Sequence, residues 1–261
     1  MTAHPAPVDR NSAANPGTAD LRATVSLLAA LGKALHVVGV PAHKLEDALM
    51  ETGERFGARV EIFAMPTGLV MSVSDDRESI TVVDRIEPGT VHLERLSRLS
   101  GIADAVSAGR LEPAEARGQI EQVMNTRSGW GPVSAVIAYV LSAAAFSVFF
   151  YGGWIEVLIG TVVGLAVGLL SVTMQRFSRR LFELVAAALA AIIANLAHLV
   201  VGEFVEWIPL AAGLIILLPG LAMVDAIEEL AHAQMTSGAA RMAGVGIALL
   251  SMAFGTVLGL S

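Results

Sequence analysis

Across its 261 residues the chain is 54% hydrophobic and only 16% charged, has no cysteine and carries a formal charge of -7, a composition too apolar for a purely water-soluble protein of this length. The missing cysteines exclude disulfides, Cys-ligated zinc, iron–sulfur clusters and thiol catalysis, and an acidic balance without a Lys/Arg run argues against nucleic acid as a partner. Charge is also segregated, since residues 1–128 hold 13 of the 17 Lys and Arg and 17 of the 24 Asp and Glu, leaving 4 and 7 for residues 129–261.

Residues 1–19, rich in Pro, Ala, Asn and Ser and without an apolar run, read as a disordered tail rather than a secretory signal. Residues 20–128 read as an α+β domain. After Asp20, the residues Leu21, Val25, Leu28, Leu31, Leu35 and Val38 fall on one helical face that ends at Gly39; Pro41 restarts a second helix carrying Leu45, Leu49, Thr52 and Phe56. From Arg59 to Arg85 the apolar period shortens toward two, with turns at Pro66–Gly68 and Asp75–Asp76, which predicts three antiparallel strands. Helical spacing returns with Leu93, Leu96, Leu99, Ala103 and Val106, stops at Gly109, and resumes after Pro113 as far as Met124. Two helices, a three-stranded antiparallel sheet and two further helices are therefore expected.

Residues 129–261 contain five stretches approaching the ~20 apolar residues needed to cross a hydrocarbon layer of ~30 Å: Trp130–Tyr151, Ile155–Gln175, Leu181–Gly202, Trp207–Val224 and Met242–Ser261. Lipid offers no partner to backbone N–H and C=O groups, so each stretch must be helical. Trp130, Tyr151, Trp154 and Trp207 stand at span ends, where an amphipathic ring prefers the headgroup layer. The expected fold class is an α-helical integral membrane protein of five transmembrane helices with an N-terminal cytoplasmic α+β domain. Loop cations set that orientation. Arg127, Arg176, Arg179, Arg180 and Arg241 flank the same side, whereas Gly152–Gly153 and Gly202–Glu206 contain no Lys or Arg. The positive-inside rule places residues 1–128 in the cytoplasm and, with five spans, Ser261 outside.

Several stretches resemble the threonine/serine exporter family. They are Gly39–Asp47, Phe63–Gly68, Gly109–Ala116, Tyr151–Trp154, Leu218–Pro219–Gly220 and Ser237–Arg241, in that order and spacing over about residues 20–261. The resemblance implies a multi-pass transporter of the bacterial plasma (inner) membrane, proton-coupled, exporting threonine and serine in fused members or succinate in a split pair. Fused members carry a second five-span block, whereas this chain stops at Ser261. A second five-span subunit, or failing that a homo-oligomer, is the implied partner, and no cofactor or metal is expected. Many relatives have Asn shortly after the Pro-Gly pair, where this chain has Asp225.

Within the spans, Gly160, Gly164 and Gly168 recur every four residues, a ridge of small side chains that lets helices approach closely. Asn195 and His198, three apart on the third span, read either as polar contacts for a substrate or proton, or as an interhelical hydrogen bond. Glu203 and Glu206 read as solvated loop charges. Trp207–Leu218 provides 12 residues, about 18 Å of helix at ~1.5 Å per residue, too short to cross before Pro219–Gly220 interrupts it. A half-helix starting there directs unpaired N–H groups into the membrane, an end suited to a substrate carboxylate. Asp225 follows as a proton or ammonium partner; in the alternative reading the span merely kinks and Asp225, Glu228 and Glu229 form a solvated face. His36, His43 and His92 belong to no hydrolase or metal motif and read as core or surface histidines. Three functional classes follow: an exporter subunit for small carboxylate-bearing metabolites, a regulatory or scaffold subunit without a pathway, and a membrane-anchored hydrolase.

Overall fold

The computed structural model describes residues 16–87, 89, 91–126, 129, 131–174 and 179–261. Contacts divide the chain into two compact units, Met1–Thr126 and Arg127–Ser261. The sequence-predicted tail lies outside the described residues up to residue 15, and the first helix begins at Pro16, ahead of Asp20.

The first unit runs α1 (Pro16–Val37), α2 (Ala42–Glu54), β1 (Arg59–Met65), β2 (Gly68–Ser74), β3 (Ser79–Arg85), α3 (Leu93–Ser107) and α4 (Pro113–Asn125). Its strands form one antiparallel sheet in the order β1-β2-β3, with Ile62 opposite Met71 and Met71 opposite Val82. The period of two turns Val60, Ala64, Leu69, Met71 and Val73 to the helices, where they join Leu28, Leu31, Leu45, Leu49, Leu99 and Val106 in one core. Leu93, assigned to the apolar face of α3 from its spacing, is 67% exposed, and Ile102 packs in the core further along the helix. Leu93 opens the first turn directly after the cap residue His92, before the helix axis reaches the core. At the β2–β3 turn the N–H groups of Arg77 and Glu78 both donate to Asp75 Oδ1 at 2.8 Å. These bonds, that from Glu78 foremost, hold the Asp75 carboxyl below its ordinary range. The tether is therefore complete at neutral pH and is lost as pH falls through that lowered value.

The second unit is helical: α5 (Pro132–Phe149), α6 (Trp154–Met174), α7 (Arg179–Val201), α8 (Trp207–Leu214), a 3-10 turn (Ile215–Leu217), α9 (Gly220–Ala231) and α10 (Met235–Leu260). Four of these helices, α5, α6, α7 and α10, are long and apolar enough to cross a membrane, and a fifth crossing is possible where α8 and α9 bend by 54° around their break. The start of the first expected span at Trp130, and Arg176 of the α6–α7 loop, lie outside the described residues. The last helix begins at Met235 rather than Met242. Apolarity marks the stretch suited to lipid, whereas Met235–Arg241 continues the same helix with Gly238 and Arg241 packed against α9.

Small residues set the helix spacing. A Cβ on Gly160 would strike the Ser147 hydroxyl, one on Gly164 would lie 2.8 Å from the Tyr139 carbonyl and 2.7 Å from Ala143 Cβ, and one on Gly168 3.2 Å from Val136 Cα. The ridge is thus pressed against α5, whose matching positions descend as the glycines ascend, so α5 and α6 are antiparallel. On the opposite side, Gly255 meets the Leu184 carbonyl and Ala187, and Gly259 the Ala188 carbonyl and Ala191. Here both numbers rise together, so α7 and α10 run parallel. Ala186, Ala187 and Ala190 of α7 close the interior with Val163, Val167, Leu217 and Met252.

Adding side-chain bulk at the α5–α6 seam forces the helices apart, at a typical cost of ~1–3 kcal/mol. Gly164→Val is expected to lower the thermal unfolding midpoint of the purified chain in detergent, while Gly246→Ala, whose Cβ would meet nothing within 4 Å, leaves it unchanged.

Candidate functional site

The break in the fourth apolar stretch is the irregular backbone of interest. Leu214 ends α8, Ile215–Leu217 tightens into a 3-10 turn, Leu218 is extended, and Pro219 stands at the N-cap of α9. Pro219 has no N–H, so the ladder cannot continue through it. Gly220 N–H turns back to the Leu218 carbonyl at 2.8 Å, and Met223 N–H restores helical bonding to the Pro219 carbonyl at 2.9 Å. No side chain caps this helix start.

Beyond the break, α9 turns Asp225, Ala226 and Glu229 inward and leaves Leu221, Val224 and Ile227 exposed. Asp225 and Glu229 are four residues apart and therefore share a face. That face meets Arg241 of α10. Arg241 Nη2 donates to Glu229 Oε1 at 2.9 Å and Nε to Oε2 at 3.2 Å, a two-pronged bond. The Arg241 Nη1 lies 3.9 Å from Asp225 Oδ2. The reading of Asp225 and Glu229 as a solvated face is therefore overturned: Asp225 retains 8% and Glu229 0% of its accessible surface. Gly238 seats α10 tightly on Leu230 of α9, where a Cβ would approach within 2.8 Å of the Leu230 side chain.

The other residues singled out from sequence lie elsewhere in the bundle. Asn195 is on an exposed face of α7 and is not turned into the bundle. His198, one turn further, has its Nδ1 2.9 Å from Glu206 Oε1 and its ring 5.9 Å from that of Phe204. Glu206 thus lies against the His198 ring across the α7–α8 loop while remaining about half exposed. Neither Asn195 nor His198 is grouped with Asp225. In the first unit, His36 Nε2 is 3.2 Å from the Pro66 carbonyl and His92 Nδ1 accepts from Arg95 N–H at 3.4 Å, so both rings have structural partners.

Sequence reading missed the roles of three charged residues, buried Glu229 and Glu156 and partly buried Arg241. Glu229 and Arg241 were separable from loop charges by one signal, an acidic pair at i and i+4 followed across a short turn by the sole cation of the next helix. Glu156 is the third. It sits in the first turn of α6, 9% exposed, and its Oε1 accepts from Val205 N–H at 3.1 Å. It ties the cation-free α7–α8 loop to the start of α6, beside Gly152, whose Cβ would contact Ile208 of α8.

Apolar helices of membrane-crossing length, packed through glycine seams around a bent helix pair, define a polytopic membrane protein. A family model described as "Putative threonine/serine exporter" matches residues 26–261, and the chain belongs to that family. Among curated relatives, the pheromone-regulated membrane protein 10 of Debaryomyces hansenii is 29% identical over 237 residues, covering 88% of this chain and 23% of the relative. The protein of the same name from Candida albicans strain SC5314 is 28% identical over 235 residues, 87% of this chain and 21% of the relative. That of Saccharomyces cerevisiae strain YJM789 is 23% identical over 239 residues, 87% and 30% respectively. The chain thus spans between about a fifth and a third of the length of these relatives. No solved structure matches it.

Losing the Glu156 tether removes a hydrogen bond to a charged acceptor, on the order of 1.5–3 kcal/mol. In Glu156→Ala, amide exchange at Val205 is expected to accelerate by ~10-fold or more when followed by hydrogen–deuterium exchange, with exchange at Met71 in the first unit unchanged.

Proposed function

We propose that this chain is a subunit of a proton-coupled secondary transporter that exports small carboxylate-bearing metabolites, threonine and serine or succinate. The observation that carries the reading is the break at Pro219–Gly220, directly followed by a buried carboxylate, in a chain of the exporter family. Interrupted helices place uncapped N–H groups and a partial positive charge inside a membrane, which favours a substrate carboxylate. Asp225, less than two turns further, supplies the proton or ammonium contact. His198 is a further pathway position, away from Asp225 in the bundle, whereas outward-facing Asn195 would reach a pathway only through a second chain.

The parallel run of α7 and α10 supports counting the α8–α9 pair as one bent crossing, giving five spans. A re-entrant excursion would return the chain to the side it left and make α10 antiparallel to α7. With five crossings, the cation-poor Gly152–Gly153 and Gly202–Glu206 loops face outward, and residues 1–126 and the α6–α7 loop face the cytoplasm of a bacterial plasma membrane. A second five-span chain, or a second copy, completes the pathway.

Two measurements check this reading. With the double substitution Pro219→Ala and Gly220→Leu, and separately with Asp225→Asn, export at matched membrane abundance is expected to fall by about tenfold, the scale of one lost helix-end or charge contact of ~1–2 kcal/mol. Normal flux with normal pH dependence in both would refute the site. For topology, Gly153→Cys and Glu203→Cys should react with an impermeant thiol reagent on intact cells and Ser74→Cys should not. The chain's lack of native cysteine makes each signal unambiguous, and labelling at position 74 would reverse the assignment.

A further inference from the structure

The outward stripe of α6 is wholly apolar, formed by Leu158, Val162, Leu165 and Leu169, and hydrocarbon satisfies it. That of α7 is different. Leu181, Val185, Ala188, Ile192, Asn195 and Leu199 follow one another at alternating steps of four and three residues, and all but half-buried Ala188 are exposed. Asn195 lies four residues beyond Ala191, the midpoint of the Leu181–Val201 span, hence about 6 Å from its centre at ~1.5 Å per residue and well inside a hydrocarbon layer of ~15 Å half-thickness. Elsewhere in the bundle Ser147, Thr161 and Ser171 return their hydroxyls to carbonyls of their own helices. The Asn195 side chain makes no hydrogen bond among the described residues.

An amide held in lipid without a partner is costly, because hydrocarbon replaces none of the bonds that water makes to it. The partner must then come from another membrane chain, and the pattern around Asn195 says which. Alternating steps of four and three form the seam of a left-handed helix pair, the packing most common among membrane helices. Two copies related by a twofold axis along the membrane normal bring α7 against α7 in parallel, with each residue at the depth of its own counterpart. An asparagine amide both donates and accepts, so two Asn195 side chains that face one another satisfy themselves, whereas a partner of other sequence would need its own polar group at that depth. We infer that the Leu181–Leu199 face of α7 is the interface with a second copy of this chain, clasped at Asn195. This rests on the reading above that a second chain completes the transporter, and it names the surface and the occupant.

The test uses the full chain, which has no native cysteine, so that single cysteine substitutions report alone. Under oxidation by copper phenanthroline in native membranes, Asn195→Cys, Ile192→Cys and Leu199→Cys are expected to give a disulfide-linked dimer, while Leu158→Cys and Leu165→Cys on α6 stay monomeric. Association is then followed by energy transfer between labelled copies in vesicles of rising lipid-to-protein ratio. Asn195→Leu should weaken it by ~3- to 15-fold, the scale of one interhelical side-chain hydrogen bond, and Asn195→Gln should retain most of it. An unchanged thermal unfolding midpoint in Asn195→Leu separates this loss from misfolding. Cross-linking through α6 instead of α7, association unchanged by Asn195→Leu, or a position-195 cross-link to a different polypeptide overturns this inference and leaves the transporter reading standing. Dimers linked at position 195 that move none of threonine, serine and succinate in vesicles support the interface and overturn the transporter reading.

Discussion

Arg241 is the single Lys or Arg between Leu181 and Ser261, and the arrangement of the last two helices depends on where its charge goes. In an apolar setting a guanidinium has no bulk water to fall back on, so its partners must come from neighbouring helices. Glu229 and Asp225 meet it from one face of α9, which fixes the rotation of α9 about its axis and turns Leu221, Val224 and Ile227 outward. The fork-to-carboxylate bond is directional, unlike apolar packing, and therefore specifies register as well as proximity.

The rest of the second unit is held by a different physics. Between helices that lie in lipid, apolar side chains gain little by leaving one apolar medium for another, so close van der Waals packing must do the work. Glycines supply it on two seams: Gly160, Gly164 and Gly168 against α5, and Gly255 and Gly259 against the alanine face of α7. Around the break the two regimes meet. Gly213 of α8 abuts Val163 so closely that a Cβ would clash, which anchors the chain just before Leu218, while Gly238 and the ionic cluster anchor it just after. Pro219 lies between two well-packed segments, so the bend has a definite geometry.

Much of the fold was legible residue by residue. The strand boundaries follow from a period of two bounded by Pro66–Gly68 and Asp75–Asp76, and α1 and α2 from apolar faces separated by Gly39 and Pro41. The departures have local causes. Leu93 fits the helical spacing but precedes the point where α3 meets the core, and Met235–Arg241 is helical without being apolar because α9, not lipid, is its neighbour. Of the pathway residues, Pro219 and Gly220 were visible because proline interrupts a hydrogen-bond ladder wherever it stands. Asp225 was visible only as an ambiguity, since a carboxylate in a partly apolar helix reads equally as a solvated face or a buried group until its neighbour is known.

What the sequence by itself determined is whatever depends on near neighbours along the chain: the apolar stretches, the turns, the glycine periodicity, the interruption at Pro219 and, through the order of its motifs, membership of the exporter family. Tertiary structure alone decided which charges are shared between elements. Arg241 reads as a loop cation and Glu206 as a loop anion along the chain, yet one closes on Glu229, twelve residues away across a turn, and the other on His198. It also decided that Asn195 faces outward while Glu156, unremarkable in its own helix, reaches the Val205 backbone. The reason is that an ion pair or a capping carboxylate is defined by distance in space. Periodicity reports only which face of a helix a residue occupies, and what that face meets is settled when the helices pack.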